Sequence, residues 1–224
     1  MSKKEANVTR IAVLVSGGGS NLQSIIDKVH ESDIAAEICC VISNKKQVYA
    51  LDRAQLAHIS AVVVDSSAYT ERKLFEQALL EELKQHQTDV IVMAGFMRVL
   101  SAEFIAHYTG RILNIHPSLL PEFTGLHTHQ RALAAGNKTH GCSVHFASAE
   151  LDGGPLIMRA EVPVLSDDNV ESLAQRVLHQ EHKIYPLCVQ WLCEGKIKVH
   201  DNEVFYRDQK LVEPLTWQDE TNYE

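Results

Sequence analysis

A chain of 224 residues, 45% hydrophobic and 22% charged, has the ordinary make-up of a globular protein with one large domain or two small ones. Its formal net charge of −8 argues against a nucleic-acid partner, because a phosphate backbone demands a basic face. Five cysteines without a C-x-x-C pair argue against a disulfide framework or a zinc ribbon, and no run approaches the ~20 apolar residues of a membrane span. The polar first nine residues lack the apolar stretch of a signal peptide, so a cytoplasmic protein is expected.

Residues 10–15 (RIAVLV) are almost wholly apolar, as in a strand buried on both faces of a parallel sheet. They run into Ser16-Gly17-Gly18-Gly19-Ser20-Asn21 and then the helical spacing Leu22, Ile25, Ile26, Val29. Glycines let the backbone approach a ligand closely, and the first N–H groups of the following helix are free to bind an anion. No Lys-Ser/Thr follows, as a triphosphate loop requires, and Leu22 stands where a dinucleotide fingerprint has its last glycine. A single phosphate fits better; a tight turn with no ligand is the plain alternative.

Residues 36–43, 61–64 and 89–94 read as further buried strands, with helices over 48–57 and 70–85 between them. In the second helix Leu74, Ala78 and Leu79 are expected to face inward, and Glu71, Arg72, Glu76, Glu81, Glu82 and Lys84 mostly outward. The strand at 89–94 empties into Gly95-Phe96-Met97-Arg98-Val99-Leu100, and Ser101 is a good N-cap for a short helix over 102–108. This alternation predicts an α/β fold: a doubly wound, mostly parallel sheet with right-handed crossovers.

Residues 111–121, RILNIHPSLLP, carry the densest signal. In a strand stopped by Pro117, Asn114 and His116 share one face, at the carboxyl end where open α/β sheets place ligands. A loop over 121–130 leads to a helix around 131–135, then strands over 139–147 and 156–164. Between those strands lies the turn Ser148-Ala149-Glu150-Leu151-Asp152-Gly153-Gly154-Pro155, with two carboxylates. Residues 170–193 form a long helix with a kink expected at Pro186. Residues 196–211 read as a hairpin turning at Asp201-Asn202, and the last dozen as frayed. No linker divides the chain, so a single domain is expected. His127 and His129 have no third ligand at metal spacing, and His179 and His182 read as substrate-side or surface residues.

Five segments in order (SGGGSNLQ, AGFMRVL, NIHPSLLP, SAELDGGP and QEHKIYP) resemble the phosphoribosylglycinamide formyltransferase family, over about residues 10–211. NIHPSLLP and LDGGP indicate the wider folate formyltransferase superfamily; the SGxGSN loop without a second domain selects the glycinamide ribonucleotide member. The resemblance implies a Rossmann-like formyltransferase fold with a phosphate-binding half over 10–108, a catalytic and folate-binding half over 109–195, and a hairpin and tail over 196–224. It implies transfer of the formyl group of 10-formyltetrahydrofolate to the amine of 5'-phosphoribosylglycinamide in de novo purine biosynthesis, with no metal.

By the same resemblance Asn114, His116 and Asp152 are catalytic. An amide and a protonated imidazole suit a developing oxyanion, and a carboxylate can orient the ring and accept a proton. Gly19, Ser20, Asn21 and Glu181 match the positions that hold phosphoribosylglycinamide, with Gly18 where relatives often carry another small or polar residue. Arg72, Met97, Arg98, Val99, Leu100, Asn114, Ser148, Ala149, Glu150, Leu151 and Asp152 match the folate site. Solvation is the alternative for Arg72. Glu150 competes with Asp152 for the catalytic role, and the Asp-Gly-Gly context favours Asp152.

Three rivals follow from the same motifs. A methionyl-tRNA formyltransferase shares the Asn and His but carries a second, basic domain. A formyltetrahydrofolate hydrolase passes the formyl group to water and carries a regulatory domain ahead of the first strand, where only nine residues precede Arg10 here. A non-catalytic phosphosugar-binding module explains the glycine loop and leaves Asn114, His116 and Asp152 without a role. The expected partners are small molecules, with no nucleic acid and no membrane, for a monomer or homodimer.

Overall fold

The computed structural model describes residues 8–31 and 33–218. Its parallel half comprises β1 (Thr9–Val15), α1 (Ser20–His30), β2 (Ala36–Ser43), α2 (Tyr49–Leu56), β3 (Ala61–Val63), α3 (Arg72–Gln85), β4 (Val90–Met93), α4 (Ala102–His107) and β5 (Ile112–His116). Then come α5 (Thr128–Ala135), β6 (Thr139–Phe146), β7 (Leu156–Pro163), α6 (Val170–Cys193), β8 (Ile197–His200), β9 (Glu203–Tyr206), β10 (Gln209–Lys210) and β11 (Leu215–Trp217). The main sheet runs β11-β7-β6-β5-β4-β1-β2-β3. Strands β1 to β5 pair in parallel, whereas β6 lies antiparallel to both β5 and β7.

The two-residue period of β1 sorts its side chains between two cores. Ile11, Val13 and Val15 pack with Leu22, Ile25 and Ile26 of α1 and Val177, Tyr185 and Trp191 of α6. Ala12 and Leu14 face the other way, towards Phe75, Leu79 and Leu83 of α3 and Phe104 of α4. The fully buried Tyr185 hydroxyl donates to the carbonyls of Met93 (2.9 Å) and Leu113 (3.1 Å), tying α6 to the ends of β4 and β5.

Several expectations are corrected. On α3, Leu74 is 46% exposed and Glu76 only 6%, the reverse of the polarity-based reading. The Glu76 carboxylate is buried because it is used. It accepts the Ser101 N–H (2.8 Å) and hydroxyl at the start of α4, and Arg72 Nε (2.9 Å) on its own helix. Helix α5 begins at Thr128, earlier than the sequence pattern suggested, and α6 carries Pro186 within its span. The tail is not frayed throughout its last dozen residues: Leu215–Trp217 pairs in parallel with β7 at the sheet edge, while 219–224 lie outside the described residues. The hairpin does turn at Asp201 (φ +49°) and Asn202 (φ +64°), and a second such turn at Arg207 and Asp208 adds β10.

Candidate functional site

After β1 the chain winds outward to β2 and β3, then returns to place β4 on the other side of β1. That reversal opens a crevice at the carboxyl ends of β1 and β4, where doubly wound sheets hold ligands. A cavity of about 800 Å³ fills it. Ser20, Asn21, Glu181, Asn114, His116 and Asp152 all line it, with Met97, Arg98, Val99, Leu100, Ser148, Glu150 and Leu151. Met97, Val99, Leu126 and Leu151 are exposed apolar side chains around it, suited to the faces of a flat ring system. Three expected residues do not line it. Gly19 packs its Cα side against Ala50 of α2, Ala149 is exposed, and the half-exposed Arg72 is paired with Glu76.

One end of the cavity is made of main chain. Gly19 is the N-cap of α1 with φ +71°, and no side chain caps the helix. A Cβ at Gly19 would lie 2.7 Å from Ala50 Cβ, so both the conformation and the packing require glycine. A Cβ at Gly18 would meet nothing within 4 Å, so a larger side chain has room there. The first N–H groups of α1 therefore remain available to an anion. Ser16 fixes the loop's root: its hydroxyl donates to Asn44 Oδ1 (2.5 Å) and accepts the Met97 N–H (2.8 Å). Beyond the loop, Asn21 Nδ2 donates to Glu181 Oε2 at 2.6 Å, and Asn21 Oδ1 is buried without a partner. Burial pushes the Glu181 carboxyl up, against the pull of the Asn21 hydrogen bond. The carboxylate and the orphaned amide oxygen both call for donors such as hydroxyls or an amine.

The other end is made of side chains. His116 Nδ1 lies 3.4 Å from Asp152 Oδ2, with both side chains only 7% exposed. His116 Nε2 lies 2.9 Å from the Phe123 carbonyl, so each ring nitrogen faces an oxygen acceptor. Asp152, at φ +54°, also accepts the Gly125 N–H at 2.8 Å. The loop after it lies against β6: a Cβ at Gly154 would fall 1.8 Å from the Phe146 carbonyl oxygen. Glu150, the competing carboxylate, is exposed, and the carboxylate paired with His116 is that of Asp152.

Sequence reasoning missed the residue that aims Asn114. His145, 2% exposed, lies with Nε2 3.0 Å from Asn114 Nδ2 and Nδ1 2.9 Å from the Phe146 carbonyl. A carbonyl can only accept, so the proton sits on Nδ1 and Nε2 receives one amide hydrogen of Asn114. Burial lowers the pKa of His145 and keeps the ring neutral for that task. The signal was the alternation in THGCSVHF, but only the antiparallel register sets His145 opposite Asn114 and Ser143 opposite His116. Ser143 holds the NIHPSLLP turn, donating to Ser118 O (2.7 Å) and accepting the Leu120 N–H (3.0 Å). His129 Nδ1 lies 3.1 Å from His140 Nε2. Among the described residues no three His, Cys, Asp or Glu stand together as a metal site.

Residues 9–189 match the family described as formyl transferase. The chain is 47% identical over 201 residues to a phosphoribosylglycinamide formyltransferase of Escherichia coli (strain K12), covering 90% of this chain and 95% of that one. It is similar to the structure of a phosphoribosylglycinamide formyltransferase from Coxiella burnetii, with a TM-score of 0.90 and 42% identity over 95% of this chain and 100% of that one. A formyltetrahydrofolate deformylase from Pseudomonas syringae pv. tomato gives a TM-score of 0.83 at 25% identity, covering 90% of this chain but 66% of that one.

Proposed function

The chain belongs to the formyl transferase family, and we propose that Asn114, His116 and Asp152 carry its reaction in the cavity at the β1–β4 crevice. That reaction passes the formyl group of 10-formyltetrahydrofolate to the amine of 5'-phosphoribosylglycinamide, a one-carbon transfer of purine biosynthesis. One observation carries the assignment of the site. A main-chain anion loop and an Asn–His–Asp cluster open into one cavity of about 800 Å³.

The substrate's phosphate takes the N–H groups at the start of α1, and its ribosyl hydroxyls or amine take Glu181 and Asn21 Oδ1. The folate ring takes the apolar rim at Met97, Val99, Leu126 and Leu151. The amine lone pair attacks the formyl carbon, and negative charge gathers on the formyl oxygen. One Asn114 amide hydrogen is held by His145, which leaves the second for that oxygen. His116 donates next. Its Nδ1 contact with Asp152, at 3.4 Å longer than an ordinary N–H···O bond, is the one that yields to substrate. Asp152 accepts the proton lost by the amine; the oxyanion then collapses, the bond between the formyl carbon and the folate nitrogen breaks, and that proton passes from Asp152, through His116 or water, to the departing nitrogen. In this reading the protein is a cytoplasmic enzyme, monomeric or homodimeric, acting on small molecules.

Purified protein given both substrates should release tetrahydrofolate, followed by absorbance, only when phosphoribosylglycinamide is present. Equal folate release with water as sole acceptor would overturn the transferase reading in favour of hydrolysis.

A further inference from the structure

A glycine loop receives an anion only if its peptide planes are turned the right way, and here α2 turns them. Ala50 N–H donates to the Gly17 carbonyl at 3.1 Å, and Arg53 Nε donates to the Gly18 carbonyl at 2.9 Å. The same guanidinium donates through Nη1 to Gln23 Oε1 on α1 at 2.9 Å, and lies over the Tyr49 ring, 4.6 Å from its centroid. In a trans peptide the C=O and the following N–H point in opposite directions. With the Gly17 and Gly18 carbonyls drawn onto α2, the N–H groups of Gly18 and Gly19 are aimed away from it.

We propose that Arg53 is a positioning residue for the phosphate monoester of the substrate: it locks the Gly18 peptide and sets a fixed positive charge behind the donors. The inference rests on reading the cavity as the phosphoribosylglycinamide site. Two properties of arginine are needed at once. The planar fork reaches the Gly18 carbonyl and Gln23 together, bracing the loop against α1, and its flat face lies over Tyr49. A lysine supplies the charge as a point and cannot make both bonds in that plane. The guanidinium does not touch the reacting atoms, so its effect belongs to binding of the phosphorylated substrate alone.

The test is steady-state kinetics on the full chain carrying Arg53→Ala, Arg53→Gln or Arg53→Lys, with inorganic phosphate as a competitive probe of the loop. A charge-assisted contact of this kind is worth about tenfold or more in affinity. Arg53→Ala should raise both the KM for phosphoribosylglycinamide and the Ki of inorganic phosphate about tenfold or more. The folate KM and the kcat at saturation should stay within about twofold. Arg53→Lys should recover only part of the loss, and added methylguanidine should restore phosphate binding to Arg53→Ala. Unchanged phosphate Ki in Arg53→Ala, or equal losses for phosphate and folate in all three variants, would overturn the role. If the unmodified protein itself transfers no formyl group yet its affinity for inorganic phosphate, read by calorimetry, still depends on Arg53, the reaction assignment fails and the anion loop stands.

Discussion

The two ends of the cavity do their work with different materials. At the β1–α1 end the groups offered to the ligand are main-chain N–H donors, and side chains act from behind: Ala50 against Gly19, Arg53 on the Gly18 carbonyl. At the β5–β7 end the offered groups are the side chains of Asn114, His116 and Asp152, each aimed by a neighbour. The parallel half delivers its ligand groups at strand ends by winding. The antiparallel half delivers them by cross-strand register, Asn114 against His145 and His116 against Ser143. A backbone-built end depends on conformation and tolerates side-chain change wherever a Cβ has room. A side-chain-built end depends on residue type at a few positions and should fail in turnover rather than in binding.

The sharpest test of that contrast lies at Asp152. Asp152→Asn keeps the shape of the side chain but removes the charge facing His116 Nδ1. A positioned acid–base group is worth about 10²–10⁴ in rate, so kcat should fall by that order while both KM values move little. Residues acting as a unit are non-additive, so adding His116→Ala should cost far less than the product of the two single losses. Fully multiplicative losses in kcat would show that the two groups act separately.

Next in size is Glu181, which cuts across the contrast because it is a side chain at the phosphate end. Its carboxylate is 7% exposed and held by Asn21 Nδ2. Glu181→Gln removes a charged acceptor, and the new amide can pair with Asn21 Oδ1, the atom otherwise left to the substrate. A charge-assisted hydrogen bond is worth ~1.5–3 kcal/mol, so substrate affinity should drop about 10- to 100-fold. Calorimetry with phosphoribosylglycinamide reads this directly, and unchanged affinity would remove Glu181 from the site.

Smaller still is the difference between two adjacent glycines. Gly19→Ala places a Cβ against Ala50 in a left-handed conformation that costs an ordinary residue roughly 1–2 kcal/mol. It should raise the KM for the phosphorylated substrate and lower the melting temperature. Gly18→Ala should do neither, since its Cβ meets open space. Equal behaviour of the two variants would mean that loop conformation is not what binds the substrate.

What the sequence discloses divides along the same line. Winding, the parallel strands, the glycine loop and the strand carrying Asn114 and His116 are local patterns of period two, period 3.6 and turn chemistry, and they were legible. The conjunction of Asp152 with His116, 36 positions apart, was available only through resemblance, since no local rule brings those residues together. His145 and Arg53 stayed invisible because their partners come from a neighbouring strand or a preceding loop. Glu76 was misplaced for a related reason. Polarity alone puts a glutamate outside, and only the packing of α3 against the start of α4 supplies donors that keep it in. Edge strand β11 carried no pattern long enough to separate from a tail.

A last test compares the two ends through pH. Beside the Asn114, His116 and Asp152 cluster, His140 is 1% exposed; burial first, then His129 and His116, push its pKa down to about 4, against a bond with the Pro117 backbone. Above pH ~6.5 the ring is neutral in folded and unfolded chains alike. As pH falls from there towards 4, the unfolded chain takes up a proton that the folded chain refuses, so stability declines through that window and the contribution levels off below it. His129 and His145, also pushed down by burial, act in the same direction. Glu181, pushed up by burial at the other end, has the opposite sign: its term favours folding below its ordinary pKa and is lost as pH rises through the folded value. Urea unfolding at pH 7.5, 6.5, 5.5 and 4.5 separates them. The His140→Gln protein should lose less stability in acid than the parent, by up to about 1.4 kcal/mol for each pH unit below ~6.5. Glu181→Gln should flatten the curve only at and above the carboxyl range. Parallel curves for His140→Gln and the parent would show that His140 is not held neutral by the fold.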